Sequence, residues 1–119
     1  MPAGRLKGLR SHLAAAARKR NVVTYGELMR KYHLSRGKVL SQVIGEIDML
    51  ECEEGGPGFA AIIVRKDTGF PGGGYFCDDV LPTRLRRSKD RASDPKLSEQ
   101  EQKHVRRQQH KIWDFYSYS

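Results

Sequence analysis

Long hydrophobic runs are missing from this chain of 119 residues. Its longest apolar stretch, Phe59 to Val64, falls far short of the roughly 20 residues that a membrane-spanning helix needs. Near the N-terminus, Leu13 to Ala17 runs straight into Arg18, Lys19 and Arg20, which is not the pattern of a secretory signal. Cysteine is scarce as well. Cys52 and Cys77 stand without a CxxC or a nearby histidine pair, so no metal and no cofactor is expected. Two lone cysteines suit a reducing cytoplasm better than a disulfide-stapled secreted domain, and their spacing leaves a Cys52–Cys77 bridge open. There is no internal repeat. His12, His33, His104 and His110 have no recognisable serine or carboxylate partners for nucleophilic catalysis.

Acidic residues are nearly absent from the first third of the chain. Residues 1–40 carry ten lysines and arginines against one acid, Glu27. Residues 41–80 reverse this, with two basic and eight acidic residues, and residues 81–119 hold ten basic and five acidic ones. The formal net charge of +8 is therefore laid down in blocks, and clustered charge makes a field that scattered charge does not. Nucleic acid is the expected partner, DNA rather than RNA. An anionic membrane would call for bulky apolar side chains on the same basic helix. With 38% hydrophobic and 30% charged residues, one domain with a modest core and a polar surface is expected at this length.

Leu6, Leu9, Leu13 and Ala17 recur at helical spacing and predict a first helix over 4–20, stopped near Asn21. Val22 and Val23 suit a very short strand. Thr24 to Glu27 has the form of a reciprocal capping box, opening a short helix that ends at Tyr32. His33 and Leu34 make a tight connection, and Ser35 is a good N-cap for a third helix from Arg36 to about Leu50. Val39, Leu40, Val43, Ile44 and Ile47 give that helix its apolar stripe. Phe59 to Val64 reads as a buried strand, Arg65 to Gly69 as a turn, and Gly72 to Phe76 as the partner strand of a hairpin. The expected fold is α+β, a small winged helix-turn-helix domain with a β-hairpin wing and an added C-terminal helix. Its divisions are a winged domain over 1–80, a basic arm or linker over 81–97, and a helix over 98–119 that packs back on the domain. Ser98 to Glu101 is a second capping box, and Val105, Ile112, Trp113 and Tyr116 are the docking residues of that last helix.

The candidate contacts follow from this order. Ser35, Arg36, Lys38, Ser41 and Gln42 cluster on the first two turns of the third helix, the segment that enters the major groove in helix-turn-helix proteins. Arg65 and Lys66 flank the wing turn, and Gly73 lies in a glycine run that lets backbone approach a phosphate closely. Arg84, Arg86 and Arg87 give the arm its charge for tracking a backbone.

Val23, Thr24, Tyr25, Gly26, Glu27 and Leu28, then Ser35 to Ile47, an apolar strand and a Gly-Gly-Tyr turn together resemble a known domain. It is the DNA-binding domain of alkylguanine-DNA alkyltransferases and alkyltransferase-like proteins, and the resemblance covers about residues 22–76. It implies that Tyr25 sits where the family uses a tyrosine to rotate a damaged nucleotide. It also makes Lys38 the nearest counterpart of the basic side chain that fills the gap. The family's alkyltransferases carry Pro-Cys-His-Arg after the recognition helix. Here that stretch is Phe59 to Arg65, with neither cysteine nor histidine, so alkyl transfer is not expected.

Two other classes compete with a non-catalytic DNA-binding protein. Glu46, Asp48, Glu51, Glu53 and Glu54 form an acidic run that could serve a small Mg-dependent nuclease beside Lys66. Trp113, Phe115 and Tyr116 concentrate aromatic surface on the last helix, where a protein partner or a second copy could dock.

Overall fold

The computed structural model describes residues 3–34, 38–71, 75, 85–87 and 96–117, with residues 3–5 and 38 described by their backbone alone. Four α-helices surround a two-stranded sheet: α1 (Ala3–Arg18), β1 (Val23–Thr24), α2 (Tyr25–Tyr32), α3 (Lys38–Glu53), a 3₁₀ turn (Ala60–Ile62), β2 (Ile63–Val64) and α4 (Glu99–Ser117). The architecture is helix-rich and agrees with a small α+β domain. No helix among the described residues is long and apolar enough to cross a membrane.

The helices bury apolar stripes, and side-chain caps open α2 and α4. Leu9, Leu13 and Ala17 of α1 are buried together with Leu28 of α2 and Leu40, Val43 and Ile47 of α3. Val39 departs from the expected stripe: it is 44% exposed, because it lies at the edge of the face centred on Leu40 and Ile47. The backbone N–H of Glu27 donates to Thr24 Oγ1 at 3.2 Å, capping α2. The reciprocal half of that box is not made, since the Glu27 carboxylate instead meets His12 of α1 at 2.7 Å. At the far end His33 takes a left-handed conformation (φ 54°) and its N–H donates to the Met29 carbonyl, which turns the chain toward α3.

The sheet differs most from expectation. Of the predicted strand over 59–64, Ala60–Ile62 winds into a 3₁₀ turn and only Ile63–Val64 is extended. β2 pairs in parallel with β1, Val23 opposite Ile63 and Thr24 opposite Val64. Asp48 marks where the segment starts. Its Oδ1 accepts the Phe59 N–H at 2.7 Å, which anchors the segment to α3 just as it begins. A turn does follow, closed by Arg65 N–H to the Phe70 carbonyl and Gly69 N–H to the Arg65 carbonyl, both at 2.9 Å. Gly72, Gly73, Gly74 and Phe76 of the expected partner strand lie outside the described residues, as does Cys77; Tyr75 is half-buried against Leu97 and Val105.

α4 closes the molecule. Its capping box is complete: Glu101 N–H donates to Ser98 Oγ at 3.1 Å, and Ser98 N–H to Glu101 Oε1 at 2.8 Å. Val105, Ile112 and Tyr116 are buried, and Gln109 Nε2 donates to the Ala61 carbonyl at 3.1 Å. Tyr116 stacks on Phe59 with ring centroids 4.7 Å apart and donates to Glu51 Oε2 at 3.0 Å. Burial, followed by the charge and hydrogen bond of Glu51, holds the Tyr116 phenol well above the usual tyrosine range. Trp113 Nε1 donates to the Asn21 carbonyl at 3.0 Å, and Arg20 reaches Asp114 at 2.6 Å, so α4 also grips the end of α1. The described residues of the expected basic arm are partly packed, with Arg86 and Lys96 exposed. Leu85, Arg87 and Leu97 are all buried.

Candidate nucleic-acid interface

α2 and α3 are separated by residues 33–37, and α3 turns Leu40, Val43 and Ile47 inward. Helical geometry then forces the intervening positions outward, and Ser41 and Gln42 are both exposed. Further along, the same outer face carries Gly45, Glu46 and Met49, the last 63% exposed. The outer surface of α3 is thus polar at its start and acidic and apolar toward its end. Ser35 and Arg36 lie outside the described residues, and Lys38 opens α3 with its side chain outside them.

The remaining candidates fall in different surroundings. Tyr25 is the first residue of α2 and is half-buried against the core. Arg65 is engaged within its own turn, its Nε and Nη2 meeting the two Asp67 oxygens at 3.0 and 2.7 Å. Those hydrogen bonds hold the Asp67 carboxyl below its ordinary range. Lys66 beside it is exposed. Gly73 and Arg84 lie outside the described residues, and Arg86 is exposed.

Arg87 corrects the expectation of a solvated arm. Its Nε and Nη2 meet the two Glu101 oxygens at 2.7 and 2.9 Å, and its Nη2 also donates to the Lys96 carbonyl at 2.8 Å. The two side chains are 2% and 7% exposed, so this guanidinium is spent on the fold. The sequence held one sign of this, an acid in a capping box, but not which cation would reach it.

The acidic run is likewise occupied. Asp48 holds the Phe59 N–H, and Glu51 accepts from Arg10 Nε at 2.8 Å as well as from Tyr116. Glu54 pairs with the same Arg10, while Glu46 and Glu53 face solvent. Among the described residues no three histidine, cysteine, aspartate or glutamate side chains are grouped to hold a metal ion. Two of the three C-terminal aromatics are used by the fold. Tyr116 is buried and Trp113 is bonded to Asn21, which leaves Phe115, 43% exposed.

A feature not read from the sequence is an open concavity of about 650 Å³ between α1, the Asn21–Val23 segment and α2. Gly8, Ala15 and Ala16 make room for it, and Lys19 and Lys31 stand at its wall. Along that wall Lys31 Nζ lies 3.1 Å from His12 Nδ1, and His12 Nε2 lies 2.7 Å from Glu27. Both ring nitrogens are engaged, and His12 braces α1 against α2. Tyr32 donates to the Gly8 carbonyl at 3.1 Å, and burial first, then Glu27, raises its phenol above the usual value. Comparison with protein-family models, with curated proteins and with solved structures finds no match.

Proposed function

We propose that this chain is a non-catalytic nucleic-acid-binding protein of the winged helix-turn-helix type that engages duplex DNA. One observation carries the proposal: α2 and α3 are joined by a short connection, and Ser41 and Gln42 are exposed on the outer face of α3, which begins at Lys38 and follows Ser35 and Arg36 in sequence. A polar, basic helix start of this kind suits the floor of a major groove, where arginine and lysine meet guanine and glutamine meets adenine. The basic excess of residues 1–40 supports a polyanion as the partner. Lys66 and Arg86, both exposed, would add phosphate contacts, and Gly73 and Arg84 complete the proposed set. The resemblance to alkyltransferase-like DNA-binding domains supports this assignment without its chemistry, since no thiolate stands on the segment after α3. Engagement of Asp48, Glu51 and Glu54 within the fold weighs against a metal-dependent nuclease.

Fluorescence anisotropy with a labelled duplex, a single strand and an RNA hairpin tests the proposal, in a salt series with and without Mg²⁺. The duplex is expected to bind most tightly, to weaken steeply with salt and to remain uncut. Arg36→Ala with Lys38→Ala is expected to weaken duplex binding roughly tenfold, about 1.4 kcal/mol, with an unchanged melting temperature. Wild-type affinity in that variant would remove α3 from the interface, and no duplex binding at low salt would end the proposal.

A further inference from the structure

We infer that the outer face of α4 is a second phosphate-contacting surface, a ridge of Lys103, Arg106, Arg107 and Lys111 that lies along the backbone of the bound duplex. This rests on the duplex-binding proposal and extends it to a helix that contributes none of the contacts expected from the sequence. α4 turns Val105, Gln109, Ile112 and Tyr116 inward. Lys103, Arg107 and Lys111 fall on the opposite side and Arg106 on its flank, and all four are exposed.

Two of the acids that could oppose this charge are drawn away. α4 has three acidic residues, Glu99, Glu101 and Asp114. Glu101 is taken by Arg87, and Asp114 is taken by Arg20 from beyond the end of α1 at 2.6 Å, while Glu99, exposed at the start of the helix, is the one acid left near Lys103. Asp114 is one turn from Lys111 and would otherwise be its natural i,i+3 partner. Lys103, Arg107 and Lys111 are instead stacked at four-residue spacing, a like-charge ladder that weakens a helix unless a polyanion answers it. None of the four has an ion-pair partner among the described residues.

The ridge is also continuous with the proposed wing. The Arg106 guanidinium lies over the Phe70 ring at 5.5 Å, and Phe70 closes the turn that carries Lys66. Arg106 thus links the ladder to the turn that carries Lys66. At 1.5 Å rise per residue the ladder spans about 12 Å. Duplex DNA offers one negative charge per roughly 1.7 Å of axis, so several phosphates fall within its reach. An anionic membrane is a poorer match, because Trp113 and Tyr116 are held by Asn21 and Glu51, and Phe115, 43% exposed, would offer a single bulky apolar side chain beside the ridge.

The test replaces all four cations by glutamine and measures anisotropy with one duplex across a salt series, with circular dichroism and a thermal melt as fold controls. Every cation withdrawn from a phosphate lowers the slope of log K against log salt by about 0.9, so a slope shallower by about two to four is expected. Affinity at low salt should fall at least tenfold. Should the fourfold variant fail to fold, the pairs Lys103→Gln/Arg107→Gln and Arg106→Gln/Lys111→Gln are each expected to flatten the slope by about one to two. An unchanged slope in a folded variant, while Arg36→Ala/Lys38→Ala still weakens binding, overturns the ridge and leaves the helix-turn-helix proposal standing. A wild-type protein that binds no duplex overturns both. Loss of binding to phosphatidylserine vesicles with duplex binding untouched also overturns the ridge as a DNA contact.

Discussion

Replacing Arg87 by leucine is expected to destabilise the protein by about 3–5 kcal/mol, the usual consequence of removing one member of a buried ion pair. Glu101 is left behind with 7% of its side chain exposed and without its two hydrogen bonds from the guanidinium. Its remaining support is the Ser98 N–H at 2.8 Å, which cannot replace a charge. The Lys96 carbonyl loses its donor at the same time. Urea denaturation measures the loss. The double variant Arg87→Leu/Glu101→Gln is expected to recover a large part of it, because a neutral amide no longer has a stranded charge to desolvate. If the single variant keeps wild-type stability, Arg87 is not the anchor described and returns to the pool of cations open to a ligand.

The same pair sets a pH signature. Burial alone pushes the Glu101 carboxyl upward, but the hydrogen bond from Arg87, the Ser98 N–H and the guanidinium charge outweigh it, and the group ends below its ordinary value of 4.5. A carboxyl whose value is lower in the folded state contributes stability that is complete above the unfolded value. That contribution is lost as pH falls through the folded one. Stability should therefore decline as pH drops below about 4.5, and Glu101→Gln should flatten that part of the curve.

The helices were legible because their signals are local. Leu9, Leu13 and Ala17 repeat at the period of the helix they form, and Ser98 and Glu101 are near enough to cap each other without help from the rest of the chain. The misread features depend on partners that sequence spacing hides. Glu27 satisfies the grammar of a capping box, yet His12, fifteen positions earlier, takes its carboxylate once α1 and α2 pack. Arg87 sits in an arginine-rich, aperiodic segment that looks solvated until Glu101 is brought to it. Phe59 to Val64 is uniformly apolar, and a run of that length cannot by itself separate an extended strand from a 3₁₀ turn. For the interface, periodicity was enough to turn Ser41 and Gln42 outward. It did not reveal how few acids are left to oppose the α4 ladder, because that depends on Arg20 and Arg87 drawing away Asp114 and Glu101.

The second large effect is expected at Gly58, where alanine should lower stability by about 3 kcal/mol. Gly58 has φ +81°, a conformation that costs an L-residue about 1–2 kcal/mol. An added Cβ would also stand 2.8 Å from Asp48 Cγ and 2.9 Å from its Oδ1. That oxygen accepts the Phe59 N–H at 2.7 Å, so moving Asp48 aside strands a part-buried donor, worth roughly another 1–3 kcal/mol. Phe59 is fully buried and stacked on Tyr116, so strain here reaches both the anchor of β2 and the end of α4. For a chain of this size the melting temperature should fall by about 10 °C. Asp48→Ala separates the two contributions. On its own it removes the acceptor; combined with Gly58→Ala it also clears the space that the new Cβ needs. The double variant should then lose less than the sum of the singles by about 1 kcal/mol, a coupling within the range of contacting residues. Strict additivity would mean that Asp48 is not the obstacle and that the left-handed backbone of Gly58 alone sets the effect.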